Sequence, residues 1–282
     1  MAVALLDREI RETAAEEDSW LSPRREKGTP TACRFSIDGE RYYSPADNPD
    51  ARYPSVTNVL GKTAGAKAQQ ALNTWALNNP GAREEAAARG TLIHEACERY
   101  IRGLPVEVPD KYEPYWRGLS DHLDRFDHFV WSERPLKPEW SFCTGEDGIS
   151  RIWSHKYQYA GCPDLVGFRN GVAWLSDFKT SVAPYARYYP REDNRSQFGG
   201  WKKFSKTSLQ LGAYSIALEE TLGIEIEIAQ ILVSVADGTT QSFILRGDEL
   251  HEAKYKWLQR VAQYWSLVAD EAAAEAESRL SV

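Results

Sequence analysis

The sequence predicts an α+β (mixed α/β) fold in which helices flank a central, mainly antiparallel β-sheet. Helical periodicity is strong over 82–101 and 207–222, and the runs between and after them are rich in β-forming residues. Asp-Gly and Asn-Gly pairs separate those runs, as they do in tight hairpins of antiparallel strands. The order of helices, strands, one helix, two strands and a final helix is typical of a sheet with helices on its faces.

Composition indicates a soluble, cytoplasmic protein and excludes several kinds of site. The 282 residues suffice for one large domain, and no stretch approaches the ~20 apolar residues of a membrane span. The apolar run at 2–6 is too short for a signal peptide. The formal net charge is −7, so a polyanion would have to bind a local basic patch. No two cysteines have zinc-knuckle or C-x-x-C spacing; they are Cys33, Cys97, Cys143 and Cys162.

We expect an N-terminal arm followed by a single domain. Residues 1–52 are interpreted as this arm with a small hairpin around Asp38-Gly39, and 53–282 as the domain. No internal repeat or second domain is evident in the sequence. The elements predicted before residue 160 are helices at 66–77, 82–101 and 113–131 and strands at 139–143 and 152–158.

The central feature of the sequence is a hairpin with an Asn170-Gly171 turn. Both residues tolerate the positive φ of a type I′ turn, and the flanking runs are rich in β-formers. Counting outward from this turn places Asp164 opposite Asp177, where like charges about 5 Å apart repel. Side chains alternate along a strand, so Lys179 shares the face of Asp177. Either these charges are solvated surface groups, or a divalent cation lies between the aspartates.

Two further side chains are candidates for the same patch. His94 lies on the helix at 82–101, four residues before Glu98, and a lone helical histidine is more often structural than a ligand. Glu139 could reach the aspartates from a neighbouring strand. Because the sequence does not fix the register of that strand, an ordinary strand-edge glutamate is an equal alternative.

A basic, aromatic segment at 182–206 follows the hairpin directly. It has little regular pattern, and its positive charges outnumber the acidic residues Glu192 and Asp193. Cations can follow a phosphate backbone while aromatic rings stack on bases, for roughly 1–3 kcal/mol each. The segment therefore predicts a nucleic-acid-binding surface, with an ordinary solvated loop as the alternative. Its candidate contacts are Arg187, Arg191, Arg195, Trp201, Lys202, Lys203 and Lys206.

The C-terminal third is predicted to contain a helix, a hairpin and a long final helix. On the helix at 207–222, Gln210 and Tyr214 are spaced by four residues and share one face. The hairpin at 225–245 turns at an Asp-Gly pair. Residues 269–282 are acidic and rich in alanine, which predicts a solvated tail.

These motifs, in this order, resemble the PD-(D/E)xK nuclease superfamily and, within it, the RecB-like branch. That branch is marked by a helical histidine, a Pro-Asp, an Asp-x-Lys and a Gln-x-x-x-Tyr helix. The matching residues are His94, Pro163-Asp164, Asp177-Phe178-Lys179, Gln210 and Tyr214. Segments 53–60 and 208–214 are similar to the mitochondrial genome maintenance exonucleases and their bacterial and phage relatives. The resemblance runs from about 53 to 265 and implies a restriction-endonuclease-like core, although 182–206 is longer than the expected link.

The resemblance implies a metal-dependent exonuclease that acts on single-stranded DNA or DNA ends, in replication, repair or recombination, and leaves 5′-phosphate products. Oxygen ligands with one imidazole suit one or two Mg²⁺ or Mn²⁺ ions better than zinc. Lys179 is implied to orient or help deprotonate the attacking water, while Gln210 and Tyr214 position the strand or brace the active-site helix. The implied metal ligands are His94, Asp164, Asp177 and the Phe178 carbonyl, with Glu139 in reserve.

Three alternatives stay open: an endonuclease on the same core, a catalytically silent DNA-binding protein, and a hydrolase of small phosphoesters. The scattered cysteines argue against the iron–sulfur cluster that some RecB-like nucleases carry. The expected partners are DNA and a recombination or replication protein. The expected location is the cytoplasm of a bacterial or phage-infected cell, and the oligomeric state is left open.

Overall fold

The computed structural model describes residues 32–191, 194 and 197–280. Within them, none of the helices combines the length and the apolar character that crossing a membrane requires. Arg195, most of the predicted N-terminal arm and the last two residues of the predicted tail lie outside the described residues.

Strands and helices alternate in blocks along the described chain. The strands are β1 (Cys33–Ile37), β2 (Glu40–Ser44), β3 (Tyr53–Pro54), β4 (His128–Trp131), β5 (Ile152–Ser154), β6 (Tyr159–Gly161), β7 (Leu165–Arg169), β8 (Val172–Ser181), β9 (Ile228–Val235) and β10 (Thr240–Arg246). The helices are α1 (Val56–Lys62), α2 (Ala66–Asn78), α3 (Ala82–Ile101), α4 (Glu113–Leu123), α5 (Phe198–Leu222) and α6 (Asp248–Leu280). A 3₁₀ helix, Pro138–Cys143, lies between β4 and β5.

A mainly antiparallel sheet forms the centre of the fold. Among the described residues its strand order is β10-β9-β8-β7-β4, and β8 and β9 are the neighbours that run parallel. A parallel pair needs a long crossover connection, and α5 lies in the connection between β8 and β9. The predicted architecture, a mainly antiparallel sheet flanked by helices, is confirmed.

Helices cover both faces of this sheet because side chains along its strands alternate in direction. On one face, Phe178 of β8 packs in a cluster with Ile93 of α3. On the other face, Leu175 of the same strand packs in a cluster with Leu211 of α5 and Trp257 of α6. Strand β8 is therefore buried on both sides, which fixes the positions of the charged residues at its end.

Two secondary-structure predictions between 113 and 143 are wrong. Helix α4 ends at Leu123, and β4 pairs with β7 at the edge of the sheet. The residues of β4 are aromatic or β-branched, and they form a strand because a distant partner is present. The predicted strand at 139–143 is the 3₁₀ helix, which begins with Pro138, where a missing N–H breaks no bond.

Helix α5 begins at Phe198 rather than at the predicted 207, so the last part of the basic segment is helical. A Cβ added to Gly200 would lie 2.6 Å from the Pro184 carbonyl oxygen, so glycine allows this first turn to pack against the preceding loop. Helix α6 continues through Leu280, where the sequence had predicted a solvated tail from 269.

A small sheet of β1, β2 and β3 joins the N-terminal hairpin to the rest of the fold. The hairpin predicted around Asp38-Gly39 is confirmed, and both turn residues have positive φ. Tyr43 of β2 pairs with Tyr53 of β3, and both belong to the main buried cluster. The boundary proposed after residue 52 therefore falls between two paired strands.

Candidate active site

The β7–β8 hairpin has the register that its turn predicts. Asn170 and Gly171 have φ values of 52° and 74°, as a type I′ turn requires. Leu165 pairs with Ser176, so Asp164, one residue before β7, lies opposite Asp177. The Asn-Gly pair thus brings the two aspartates together at one end of the hairpin.

Asp177 is a fully buried carboxylate. Its Oδ2 atom forms an ion pair with Lys179 Nζ, but neither oxygen accepts a hydrogen bond of good geometry from the described residues. Burial raises the pKa of Asp177 to about 6, with Lys179 lowering it and Asp164 raising it. Desolvation lowers the pKa of Lys179, but Asp177 and Asp164 outweigh it and raise that pKa to about 12.

His94 reaches the same end of the hairpin from α3. Its Nε2 atom lies 3.0 Å from the Phe178 carbonyl oxygen, which can only accept, so Nε2 carries the proton of this hydrogen bond. Its Nδ1 atom lies 3.5 Å from Asp164 Oδ1. The other oxygen of Asp164 accepts a hydrogen bond of 2.7 Å from the Phe178 backbone N–H. The imidazole and Asp164 are therefore both held by the backbone of Phe178.

Glu133 completes this group, and the sequence analysis did not identify it. Its Oε1 atom lies 3.5 Å from His94 Nδ1, and ligand atoms of His94, Glu133 and Asp164 all lie within 4.8 Å of one another. Burial lowers the pKa of His94, but Asp164 and Glu133 raise it to about 9. The hydrogen bond to His94 in turn lowers the pKa of Glu133.

The sequence offered a signal for Glu133 only through β4. Glu133 comes two residues after that strand ends, but the sequence pattern there predicts a helix at 113–131 instead of a strand. Glu139, the predicted reserve ligand, is exposed on the 3₁₀ helix, and the group that the structure brings together contains Glu133 instead. The Phe178 carbonyl, another predicted ligand, is engaged by His94.

The donor set fits a hard divalent cation. His94, Glu133 and Asp164 supply one imidazole nitrogen and carboxylate oxygens, the ligands that suit Mg²⁺ and Mn²⁺. Asp177 is a second indication. Its oxygens are buried, and among the described residues they accept no hydrogen bond of good geometry beyond the ion pair with Lys179, whereas buried carboxylates are normally hydrogen-bonded.

Gln210 and Tyr214 lie together on α5. Gln210 Nε2 donates a hydrogen bond of 2.9 Å to the Tyr214 hydroxyl. Burial raises the pKa of Tyr214 well above its usual value, and the Asp177 carboxylate raises it further. A Cβ on Gly161 would lie 2.4 Å from Tyr214 Cε1, so the ring is tightly packed against β6. The pair therefore sits beside Asp177 in a fixed position.

The basic segment divides into residues that face the candidate site and residues used elsewhere. Lys203 Nζ donates a hydrogen bond of 3.0 Å to Ser181 Oγ, at the end of β8. Desolvation lowers the pKa of Lys206, and the nearby Lys179 ammonium lowers it further. Both lysines therefore lie close to the end of β8 that carries Lys179.

The remaining candidate contacts of this segment are placed differently. Arg187 forms an ion pair of 2.6 Å with Glu249, so its charge is used within the fold. Trp201 packs against neighbouring aromatic rings, and Lys202 Nζ lies 4.4 Å from the centroid of the Phe198 ring. Arg191 is exposed, and Arg195 lies outside the described residues.

Comparison with known proteins does not assign the chain to a family. No family model and no curated protein matches it. Among solved structures, it is similar to the crystal structure of a proposed exonuclease from Eubacterium rectale, with 9% sequence identity and a TM-score of 0.37. The match covers 63% of this chain and 66% of that chain, so this chain spans slightly less than two thirds of that structure. A TM-score this low does not establish a shared fold.

Proposed function

We propose that this chain is a Mg²⁺- or Mn²⁺-dependent deoxyribonuclease that hydrolyses phosphodiester bonds and leaves 5′-phosphate products. The supporting observation is that the Asp177–Lys179 ion pair and the His94, Glu133 and Asp164 group lie at one end of the same hairpin. Carboxylates that hold a cation and an ammonium that faces the phosphate are the groups that such hydrolysis requires.

The side chains have separate roles in this proposal. A bound divalent cation would supply Lewis acidity to the phosphate and to the attacking water. Asp164, Glu133 and His94 Nδ1 would hold it, and Asp177, which lies buried opposite Asp164 in the hairpin, would be a further ligand. Lys179, which forms an ion pair with Asp177, would orient or help deprotonate the attacking water and offset charge on the phosphoryl oxygens.

Other groups position the reacting ones. The Phe178 carbonyl fixes the orientation of His94 by accepting a hydrogen bond from Nε2, as backbone acceptors do for metal-binding imidazoles. Gln210 and Tyr214, which are hydrogen-bonded to each other on α5, would position the strand or brace the active-site helix. Residues 53–282 form the proposed nuclease domain.

The exonuclease assignment and the DNA substrate rest on the resemblance to the mitochondrial genome maintenance exonucleases. The bacterial and phage relatives of that family support a partner protein in recombination or replication and a location in the cytoplasm of a bacterial or phage-infected cell. A covalently closed circular DNA separates the two nuclease types: an exonuclease leaves it intact, whereas an endonuclease linearises it.

The proposal is tested by digestion of 5′-labelled and 3′-labelled single-stranded and double-stranded DNA, with Mg²⁺ and with EDTA. We expect the wild-type protein to digest at least one of these DNA substrates with Mg²⁺ and none of them with EDTA. Lys179→Ala lowers the rate by at least about 100-fold, the scale expected for loss of one preorganised electrostatic group. Lys256→Ala is the matched control, because that lysine is exposed and pairs with Glu252 on the surface of α6.

Circular dichroism establishes that both variants are folded before their rates are compared. Removing Lys179 leaves the buried Asp177 without its counter-charge, which raises the pKa of that carboxyl and adds to the loss of metal binding. A folded Lys179→Ala variant that digests DNA at the wild-type rate contradicts the proposal.

A further inference from the structure

Arg89 on α3 carries a buried charge for which the described residues provide no carboxylate. The residue is only 5% exposed, and within the described part of the chain its Nε atom has no hydrogen-bond partner. Its guanidinium carbon lies 4.9 Å from the centroid of the Tyr115 ring, a contact that supports the charge without neutralising it. Buried charges are normally paired, so a bound anion would supply the counter-charge that the described residues do not provide for Arg89.

The position of Arg89 relative to the candidate site follows from its neighbours. A Cβ built on Gly90 would lie 4.0 Å from Thr180 Oγ1, so α3 passes close to β8 one residue after Lys179. The next residue, Ser181, accepts a hydrogen bond from Lys203 Nζ and donates one of 2.6 Å to the Ala183 carbonyl. Ser181 thereby holds Lys203 beside the end of β8.

The cations at this end of β8 repel one another. Desolvation lowers the pKa of Lys203, and the Arg89 guanidinium lowers it further. Lys206 is affected in the same way by desolvation and by Lys179. The nearby carboxylate of Asp177 is already paired with Lys179. An anion placed between Arg89 and Lys203 would relieve this repulsion.

We propose that Arg89 and Lys203 form a binding subsite for a phosphate group of the nucleic-acid strand, next to the phosphate that is cleaved. This inference rests on the proposed function, since it adds a second phosphate position to the same substrate. A guanidinium presents a planar fork of N–H donors that matches phosphate oxygens, and an ammonium adds a point charge. Ser181 is a positioning residue that orients Lys203.

The phosphate could be an internal diester or a terminal monoester, and both have the chemistry that this subsite recognises. Two oligonucleotides of one sequence, one with a 5′-phosphate and one with a 5′-hydroxyl, distinguish the two sources. If the terminal monoester is the ligand, substitution of Arg89 weakens binding of the 5′-phosphorylated strand alone. If an internal diester is the ligand, substitution of Arg89 lowers the affinity for both strands by the same factor.

Binding is measured in EDTA, where no cleavage occurs, as a function of salt concentration. Arg89→Gln raises the dissociation constant of at least one strand by about tenfold or more, the effect of losing a charge-assisted hydrogen bond. It also lowers the slope of log affinity against log salt by about 0.7, the contribution of one phosphate contact on a single strand. Arg89→Lys keeps the charge but loses the planar fork of donors, so its dissociation constant lies between those of the wild-type protein and Arg89→Gln.

The matched control is Arg117→Gln on α4, which removes the same charge from a side chain that is 77% exposed. It leaves the dissociation constant and the salt slope unchanged. A second probe, inorganic phosphate, raises the melting temperature of the wild-type protein and not that of Arg89→Gln. A folded Arg89→Gln variant with wild-type affinity and salt slope for both strands overturns the subsite.

Because Arg89 is buried, its variants could fail to fold, so Lys203→Gln is tested in parallel. The Lys203 side chain lies at the surface, and its loss lowers affinity and salt slope in the same way. If Arg89→Gln is unfolded, wild-type binding by Lys203→Gln overturns the subsite. Failure of the nuclease proposal looks different: the wild-type protein then binds strands in EDTA but does not cleave them in Mg²⁺.

Discussion

The carboxylate of Asp177 is held in an environment that does not favour its charge. It is buried, it accepts no hydrogen bond of good geometry from the described residues, and burial raises its pKa to about 6. Buried ion pairs such as Asp177–Lys179 stabilise a fold weakly, because desolvation offsets their attraction. Groups with strongly perturbed pKa values cluster at functional sites, so this pair is better explained by chemistry than by stability.

Two glutamates, Glu133 and Glu139, provide a matched test of which one binds metal. Glu133→Gln lowers the affinity for Mn²⁺ by at least about tenfold, because a carboxylate that lies 3.5 Å from His94 is lost. Glu139→Gln leaves the affinity unchanged, because this residue is exposed on the 3₁₀ helix. Isothermal titration calorimetry of both variants measures the difference, and equal losses would refute the assignment of Glu133.

The residues of the site differ in how far the sequence alone could identify them. Asp164 and Asp177 were predicted to face each other, because a two-residue turn fixes the register of a hairpin. Glu133 could not be found in this way, since it meets His94 only after β4 has paired with β7 across the sheet. The local preferences of the turn therefore predict that Asp164 faces Asp177. The position of Glu133 depends on the pairing of strands that are distant in sequence.

Among the helices, strands and turns, the correct predictions are those that depend on local backbone preferences, and the wrong ones depend on packing between distant residues. The turn at Asn170-Gly171 is specified by its own backbone preferences, and both residues adopt positive φ. The end of α4 and the start of α5 depend on packing instead. Gly200 looks like a helix breaker in sequence, yet it lies in the first turn of α5 because only glycine fits against Pro184.

The glycines of α5 provide a prediction about how this helix is packed. A Cβ on Gly212 would lie 2.6 Å from the carbonyl carbon and oxygen of Ala253 on α6, so Gly212→Ala forces the two helices apart. We expect a loss of about 1–3 kcal/mol in the free energy of unfolding, measured by urea denaturation. At Gly199 of the same helix, no atom of the described residues outside the local backbone lies within 4 Å of an added Cβ.

Gly199→Ala is therefore the control, and it changes stability in the opposite direction. It increases the free energy of unfolding by up to about 1 kcal/mol, because alanine loses less conformational freedom than glycine on folding. If the two variants were equally stable, α5 and α6 would not pack at Gly212 as closely as these distances require.

For the whole molecule, charge is organised by the fold rather than by composition. The formal net charge is −7, yet Arg89, Lys179 and Lys203 gather at the end of β8 from three separate elements. Arg187 shows the converse, because it lies in the basic segment but forms an ion pair with Glu249 of α6. The excess of positive charge along the sequence therefore identifies the basic segment at 182–206. Which of its cations face the candidate site depends on the fold.

The stability of the whole molecule should depend on metal and on pH together. A ligand that binds only the folded protein stabilises it by about 2.7 kcal/mol at 100 times its dissociation constant, roughly 4–5 °C in melting temperature for a chain of 282 residues. A metal must displace the protons on its ligands. The pKa of His94 is about 9 and that of Asp177 about 6, so these protons are bound below those values.

Apparent metal affinity therefore rises with pH, up to about tenfold per unit between pH 6 and pH 9 as His94 loses its proton, and falls further below pH 6 as Asp177 gains one. At one fixed Mn²⁺ concentration, the increase in melting temperature is larger at pH 8.5 than at pH 6.5. In His94→Gln the increase is smaller and changes little over this range, because the titrating ligand is gone. A pH-independent increase in the wild-type protein over this range would show that His94 does not release a proton to the metal.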